Sequence, residues 1–163
     1  MLDSHSTDSA RRRVLICARG WQGVRFKHQG QTRRGVDCIG FLMALGRELG
    51  TWTLANDDPL VRMYLGYPRV PDPRRLVEAL DRHMTRVPIP EMKSGDVALF
   101  RGNRYPQHLG LIDGDRVIHS YQPFGKVDLT RLEARSPLGG SRRNRTWREL
   151  IMITYLFPGI EAV

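Results

Sequence analysis

The chain has 163 residues, 40% hydrophobic and 26% charged, with 26 Lys and Arg against 17 Asp and Glu for a formal charge of +9. That length favours one domain that buries its own core, and the apolar content argues against a disordered chain. Two cysteines exclude a disulfide framework and a CxxC zinc signature, no apolar run is long enough to span a bilayer, and the charge favours a nucleic acid, an anionic envelope or an acidic protein neighbour.

The N-terminus, MLDSHSTDSARRR, is polar, and residues 1–8 read as a flexible tail. The apolar run VLICA before Arg19 is too short for a signal peptide, so the chain is expected to be made in the cytoplasm without one. Ala10, Val14, Cys17, Ala18 and Trp21 share one helical face, which predicts a helix over 9–21 with Cys17 as a core residue. Gly23, Gly30 and Gly35 among charges mark 22–36 as a loop. A second helix follows, with Asp37 as N-cap, Cys38, Phe41, Leu42, Leu45 and Leu49 on its apolar face, and Gly50 closing it.

Residues 51–73 carry Pro59, Pro68, Pro71 and Pro73 and read as a surface excursion with one short turn of helix. A third helix is predicted over 73–84, opened by Pro73 and carrying Leu76, Val77, Leu80 and Met84 on its face. From Val87 the period changes. Strands are predicted at 96–101, 107–112, 115–121 and 150–157, with a weaker one at 126–130. Between them, 131–148 reads as a basic loop holding Arg131, Arg135, Arg142, Arg143, Arg145 and Arg148 with Gly139-Gly140. Helices first and strands after make one α+β domain over 1–163, an antiparallel sheet covered by helices.

QHLGLIDGDRVIHSY reads as a hairpin around a two-residue Asp113-Gly114 turn. In that register His108 faces His119 from the same side of the sheet, with Cβ atoms roughly 5 Å apart. A one-residue slip would separate the faces. A paired histidine can be a general base and its orienter. The other half of such a site is Cys38. At the first turn of a helix its sulfur meets free N–H groups and the positive end of the dipole, which favour the thiolate. Its own N–H is free to hold an oxyanion. Cys38, His108 and His119 could instead be three zinc ligands with an open position, although no ligand pair has the usual close spacing. The basic stretches Arg11–Arg13 and 131–148 lack interleaved aromatics apart from Trp147, so nucleic acid is not the expected partner.

DCIG at 37–40, SGDVALF at 94–100, HLGLIDGDRVIHSY at 108–121 and the following QPFGKV resemble the NlpC-type cysteine peptidases. WQGVRFKHQG and IHSYQPFGKV are similar to strings in the branch carried by tails of phages and gene transfer agents. The resemblance implies a papain-like α+β fold, with the nucleophile at a helix N-terminus packed on an antiparallel sheet. It implies Cys38 as nucleophile, His108 as general base and His119 as its orienter, with Asp37, Phe26 and His28 as substrate-binding residues and no cofactor or metal. The implied substrate is the stem peptide of peptidoglycan. The implied partners are tail hub or baseplate proteins, and the implied location is a virion tail, with the cytoplasm as the alternative. The family's tyrosine ahead of the cysteine is Phe26 here, which removes a hydroxyl from the expected oxyanion site. A catalytically silent tail component with the same fold is the competing reading.

Overall fold

The computed structural model describes residues 4–66, 72–102, 106–139 and 144–161. Helix α1 spans Ser4–Arg19. It starts well before the predicted boundary, so residues 4–8 are its first turns and not a tail; residues 1–3 lie outside the described residues. Val14, Ala18 and Trp21 are buried, whereas Cys17 is only partly so. The Arg11 guanidinium docks the helix on the fully buried Asp96 at 2.6 Å.

Strands β1 (Gln31–Thr32) and β2 (Gly35–Val36) form a small hairpin inside the predicted loop. Helix α2, Cys38–Leu49, follows as expected. Asp37 is its N-cap and Gly50 closes it at φ 68°, the left-handed conformation that glycine adopts without strain. Phe41, Leu42 and Leu45 are almost wholly buried, each stabilising by about 1.5–3 kcal/mol.

The proline-rich excursion holds more structure than its composition suggests. Helix α3, Pro59–Gly66, buries Leu60, Val61 and Tyr64. A proline at the first helical position costs no hydrogen bond, so Pro59 starts this helix instead of preventing it. Tyr67, Pro68 and Pro71 lie outside the described residues. Helix α4, Pro73–His83, is capped by Asp72.

The second half is sheet. Strands β3 (Arg86–Val87), β4 (Val97–Arg101), β5 (Pro106–Asp113), β6 (Arg116–Tyr121), β7 (Lys126–Arg131) and β8 (Ile151–Tyr155) form an antiparallel sheet in the order β3-β8-β4-β5-β6-β7. One face, with Val97, Leu99, Leu109, Leu111, Ile118 and Val127, packs on the helices. The opposite face carries Ala98, Phe100, Ile112, Val117 and Tyr121 and is covered by Leu132, Trp147 and Leu150. Leu132 and Trp147 come from the predicted basic loop, and Leu150 from the start of the predicted last strand. That segment is thus an arm anchored by the fully buried Trp147, with a bridge between Arg135 and Thr146. Gly140, Arg142 and Arg143 lie outside the described residues.

The β5–β6 hairpin differs from its sequence reading by one step. Asp113 pairs with Arg116, Ile112 with Val117 and Leu111 with Ile118, so the turn residues are Gly114 and Asp115. Gly114 has φ 61° and Asp115 is not positive, which fits a turn with glycine first and not the type I′ pair expected. Moving the turn by one residue shifts both strands together, so the side-chain faces are kept. Continuing that register sets Gly110 across from His119, and His108 lies two residues further along on the same face.

Candidate active site

The site forms where β5 and β6 part. Their ladder covers 111–113 against 116–118 and stops before His108 and Gly110. Ile112 exchanges hydrogen bonds with the backbone of β4's entry, so the alternate residue Leu109 turns its N–H toward β6, where no ladder partner meets it. That N–H lies close enough to Cys38 to favour its thiolate over its thiol. On the other side of the gap, Ser120 Oγ donates to the carbonyl of Val36, two residues before Cys38, at 2.7 Å. The start of α2 is therefore set against β5 and β6, with Cys38 beside Leu109 and Val36 tied to Ser120, the immediate neighbours of the two histidines.

The two rings are joined directly. His108 Nε2 and His119 Nδ1 are 2.7 Å apart, and His119 Nε2 lies 2.8 Å from Thr130 Oγ1 on β7. His119 reaches His108 diagonally across Gly110, where a Cβ would lie 2.4 Å from Val117 Cγ2 and 3.1 Å from His119 Cβ. Gly110→Ala is thus expected to displace the His119 ring and lower turnover by about 100-fold, the scale of a misplacement near 1 Å. Hydrolysis rates measured beside a thermal melt check this; an unchanged rate would contradict the packing of the pair.

Aromatic rings wall the histidines. Trp147 lies 4.8 Å from His119 and 5.7 Å from His108, Tyr121 stacks on His119 at 5.8 Å, and Phe100 and Phe124 close the remaining sides. Burial pushes the His108 imidazolium well below its ordinary 6.5, helped by the charge His119 would carry. Burial also lowers His119 to about 4, against a smaller opposing pull from Asp128. Both rings are neutral at pH 7, and each carries one hydrogen.

Cys38 departs from the expectation of a thiolate. Cys38 is half-buried as a residue, but the desolvation of its sulfur pushes the thiol up to about 12, and the neighbouring Asp37 charge adds to this. Hydrogen bonds from the backbone N–H groups of Leu109, Ile39 and Cys38 act in the opposite direction and are outweighed. The dipole argument from sequence omitted desolvation, which is the largest influence here. These influences together favour the thiol over the thiolate at rest.

Asp37 is 3% exposed and spends its oxygens on the fold. Oδ1 accepts from the Gly40 N–H at 2.8 Å and lies 3.0 Å from the Tyr64 hydroxyl, and Oδ2 accepts from the Gln29 N–H at 2.8 Å. These bonds cap α2 and clamp the HQG turn and α3 onto it. Gln29 sits at φ 56°, and its side chain is tied to the carbonyls of Tyr64 and Leu65. His28 is exposed, with Nδ1 4.0 Å from Asp37 Oδ2. Phe26 is partly buried beside Val36, and its N–H donates to the Gly125 carbonyl. The structure thus groups Asp37 with His28, and sets Phe26 next to the strand that leads into Cys38. Among the described residues, no three His, Cys, Asp or Glu side chains converge as a metal-binding group.

Sequence reasoning missed Thr130, Trp147, Gly110 and Tyr64. Thr130 was within reach, since it lies in the predicted strand that follows the second histidine. Trp147 had no signal, because it stands in an arginine-rich segment without periodicity.

A model of the NlpC/P60 family matches residues 23–137, more than half of the chain and all of the site just described apart from Trp147. The chain belongs to the NlpC/P60 family. The papain-like α+β fold implied by DCIG and the two histidine strings is the fold observed. Among curated relatives, the murein DD-endopeptidase/LD-carboxypeptidase MepS of Escherichia coli K12 is 24% identical over 117 residues, covering 71% of this chain and 52% of that protein. The chain spans about half the length of the curated relatives it matches. Among solved structures, an NlpC/P60 family protein from Bacillus cereus superposes with TM-score 0.62 at 17% identity, over 91% of this chain and 40% of that one. The peptidoglycan hydrolase RipB of Mycobacterium tuberculosis gives TM-score 0.53 at 18% identity, over 84% of this chain and 64% of that one. No helix among the described residues is long and apolar enough to cross a membrane.

Proposed function

We propose that this NlpC/P60 protein is a peptidoglycan hydrolase that cleaves stem-peptide amide bonds through Cys38, His108 and His119. The observation that carries the reading is the buried His108–His119 hydrogen bond, with Cys38 at the helix start set beside Leu109, the neighbour of His108. The relationship to a murein endopeptidase supports the substrate class.

The neutral rings set the order of events. Cys38 Sγ attacks the amide carbonyl carbon while its proton passes to His108 Nδ1. The Cys38 N–H, at the start of α2, donates to the oxygen as charge develops there. The C–N bond then breaks, His108 gives the proton to the leaving amine, and a thioester remains on Cys38. Water attacks the thioester, His108 takes its proton, and the acid is released as that proton returns to the sulfur. His119 keeps His108 aimed and shares the positive charge that His108 carries between steps.

The finer setting is a phage tail or gene-transfer-agent particle, with hub or baseplate proteins as partners and the virion tail as location. It is supported by the likeness of WQGVRFKHQG and IHSYQPFGKV to strings of that branch and by the +9 charge, which suits an anionic envelope. Digestion of purified sacculi followed by mass spectrometry of the soluble fragments tests the activity and names the bond. New amine and carboxyl ends within stem peptides are expected. Release of sugar fragments alone, or of nothing, would sink the proposal.

A further inference from the structure

We propose that Thr130 is a positioning residue whose Oγ1 accepts the Nε2–H of His119 and so fixes the tautomers of both histidines, leaving His108 a bare Nδ1 for the Cys38 thiol. This rests on the reading of Cys38 as the nucleophile and deepens it.

The argument is one of hydrogen counting. Each neutral imidazole has one N–H and one lone pair. Two nitrogens face each other at 2.7 Å, so one must donate and the other accept. If His119 carries its hydrogen on Nε2, its Nδ1 accepts from His108 Nε2, and His108 Nδ1 is left as a base. If His119 carries it on Nδ1, His108 Nε2 must accept, its hydrogen moves to Nδ1, and no lone pair remains for a thiol. The case that leaves His108 a base needs an acceptor for the His119 Nε2–H, and Thr130 Oγ1, 2.8 Å away, can accept there.

Register makes the contact possible. His119 pairs with Asp128 and Val117 with Thr130, so Thr130 lies diagonally across from His119 on the same face. His119 is wholly buried, and Trp147, Tyr121 and Phe124 enclose its ring. The ring therefore cannot rotate to find another partner. The titratable groups around it are His108 on β5, Tyr121 on its own strand and Asp128 on β7. None of these is altered by a change at Thr130, so a change in pH behaviour reports the hydroxyl.

The test compares Thr130→Val, which keeps the shape and loses the oxygen, with Thr130→Ser, which keeps the oxygen. Two measurements are made on the full chain. One is the rate of Cys38 alkylation by iodoacetamide from pH 5 to 10, read on the Cys38 peptide by mass spectrometry so that Cys17 does not contribute. The other is kcat and KM on solubilised peptidoglycan. Thr130→Val is expected to slow alkylation at neutral pH and kcat by about 10- to 100-fold with KM unchanged, and Thr130→Ser is expected to restore both. A wild-type alkylation profile in Thr130→Val would overturn the proposal. So would a Thr130→Ser protein as impaired as Thr130→Val with an intact melt. Alkylation that depends on the hydroxyl, in a protein that leaves peptidoglycan uncut, would support the relay and count against the proposed substrate alone.

Discussion

His108→Gln is expected to lower the rate of stem-peptide hydrolysis by about 100- to 10,000-fold, with little change in KM. The reasoning starts from Cys38. Its thiol is pushed up to about 12 by burial and by Asp37, so almost no thiolate exists at neutral pH without help. In the proposed mechanism the base that supplies that help is His108, whose lowered pKa keeps it unprotonated. Glutamine fills similar space and can still bond to His119, but it cannot take a proton. The same facts set the acid side of the pH profile. His108 works only when neutral, and burial holds its imidazolium well below 6.5, so activity is expected to persist below pH 6.5 and fall as pH drops through the lowered value. A profile of kcat/KM from pH 4 to 8 reads this directly. A break at 6.5 would mean that the ring is solvated and the wall of Trp147 and Tyr121 is not closed.

Gly40→Ala is expected to destabilise the fold by about 3 kcal/mol, lowering Tm by roughly 6–12 °C for a chain of this size. In an ordinary helix the same change stabilises, because alanine is the better helix former by about 1 kcal/mol. Here a Cβ would lie 1.9 Å from the Gly30 carbonyl oxygen and 2.6 Å from the Tyr64 hydroxyl. Gly30 is itself closely packed, since a Cβ added there would lie 2.2 Å from the Gly35 carbonyl oxygen, and its N–H is tied to the Lys27 carbonyl. The first turn of α2 would have to lift off the HQG turn, which strains the bonds from Gln29 and Tyr64 to Asp37. Cys38 rides on that turn, so activity is expected to fall as well. A thermal melt checks the sign, and a raised Tm would contradict the close approach. The G of DCIG is thus explained by backbone packing two residues beyond Cys38.

Much of the site was legible in the sequence because it depends on local rules. Helix α2 announces itself through the Asp37 cap, the spacing of Cys38, Phe41, Leu42 and Leu45, and Gly50. The common face of His108 and His119 follows from strand parity alone, and so it survived an error in the turn. Direct opposition did not survive, because Asp113-Gly114 and Gly114-Asp115 are both plausible turns and only tertiary packing decides between them. What could not be read was whatever depends on burial. Tyr64 lies among prolines that suggested a loop, and Trp147 lies among arginines that suggested solvent, yet each is fully buried against the site. The protonation state of Cys38 failed for the same reason. A helix start argues for a thiolate, and the desolvation that reverses this comes from tertiary packing around the sulfur.

The most direct measurement is digestion of purified sacculi by the wild type and by Cys38→Ala side by side, with circular dichroism confirming that both are folded. Stem-peptide fragments released by the wild type and absent from the variant are the expected result. Equal release by both proteins would contradict the thiol mechanism, and no release by either would leave the fold without the proposed hydrolase activity.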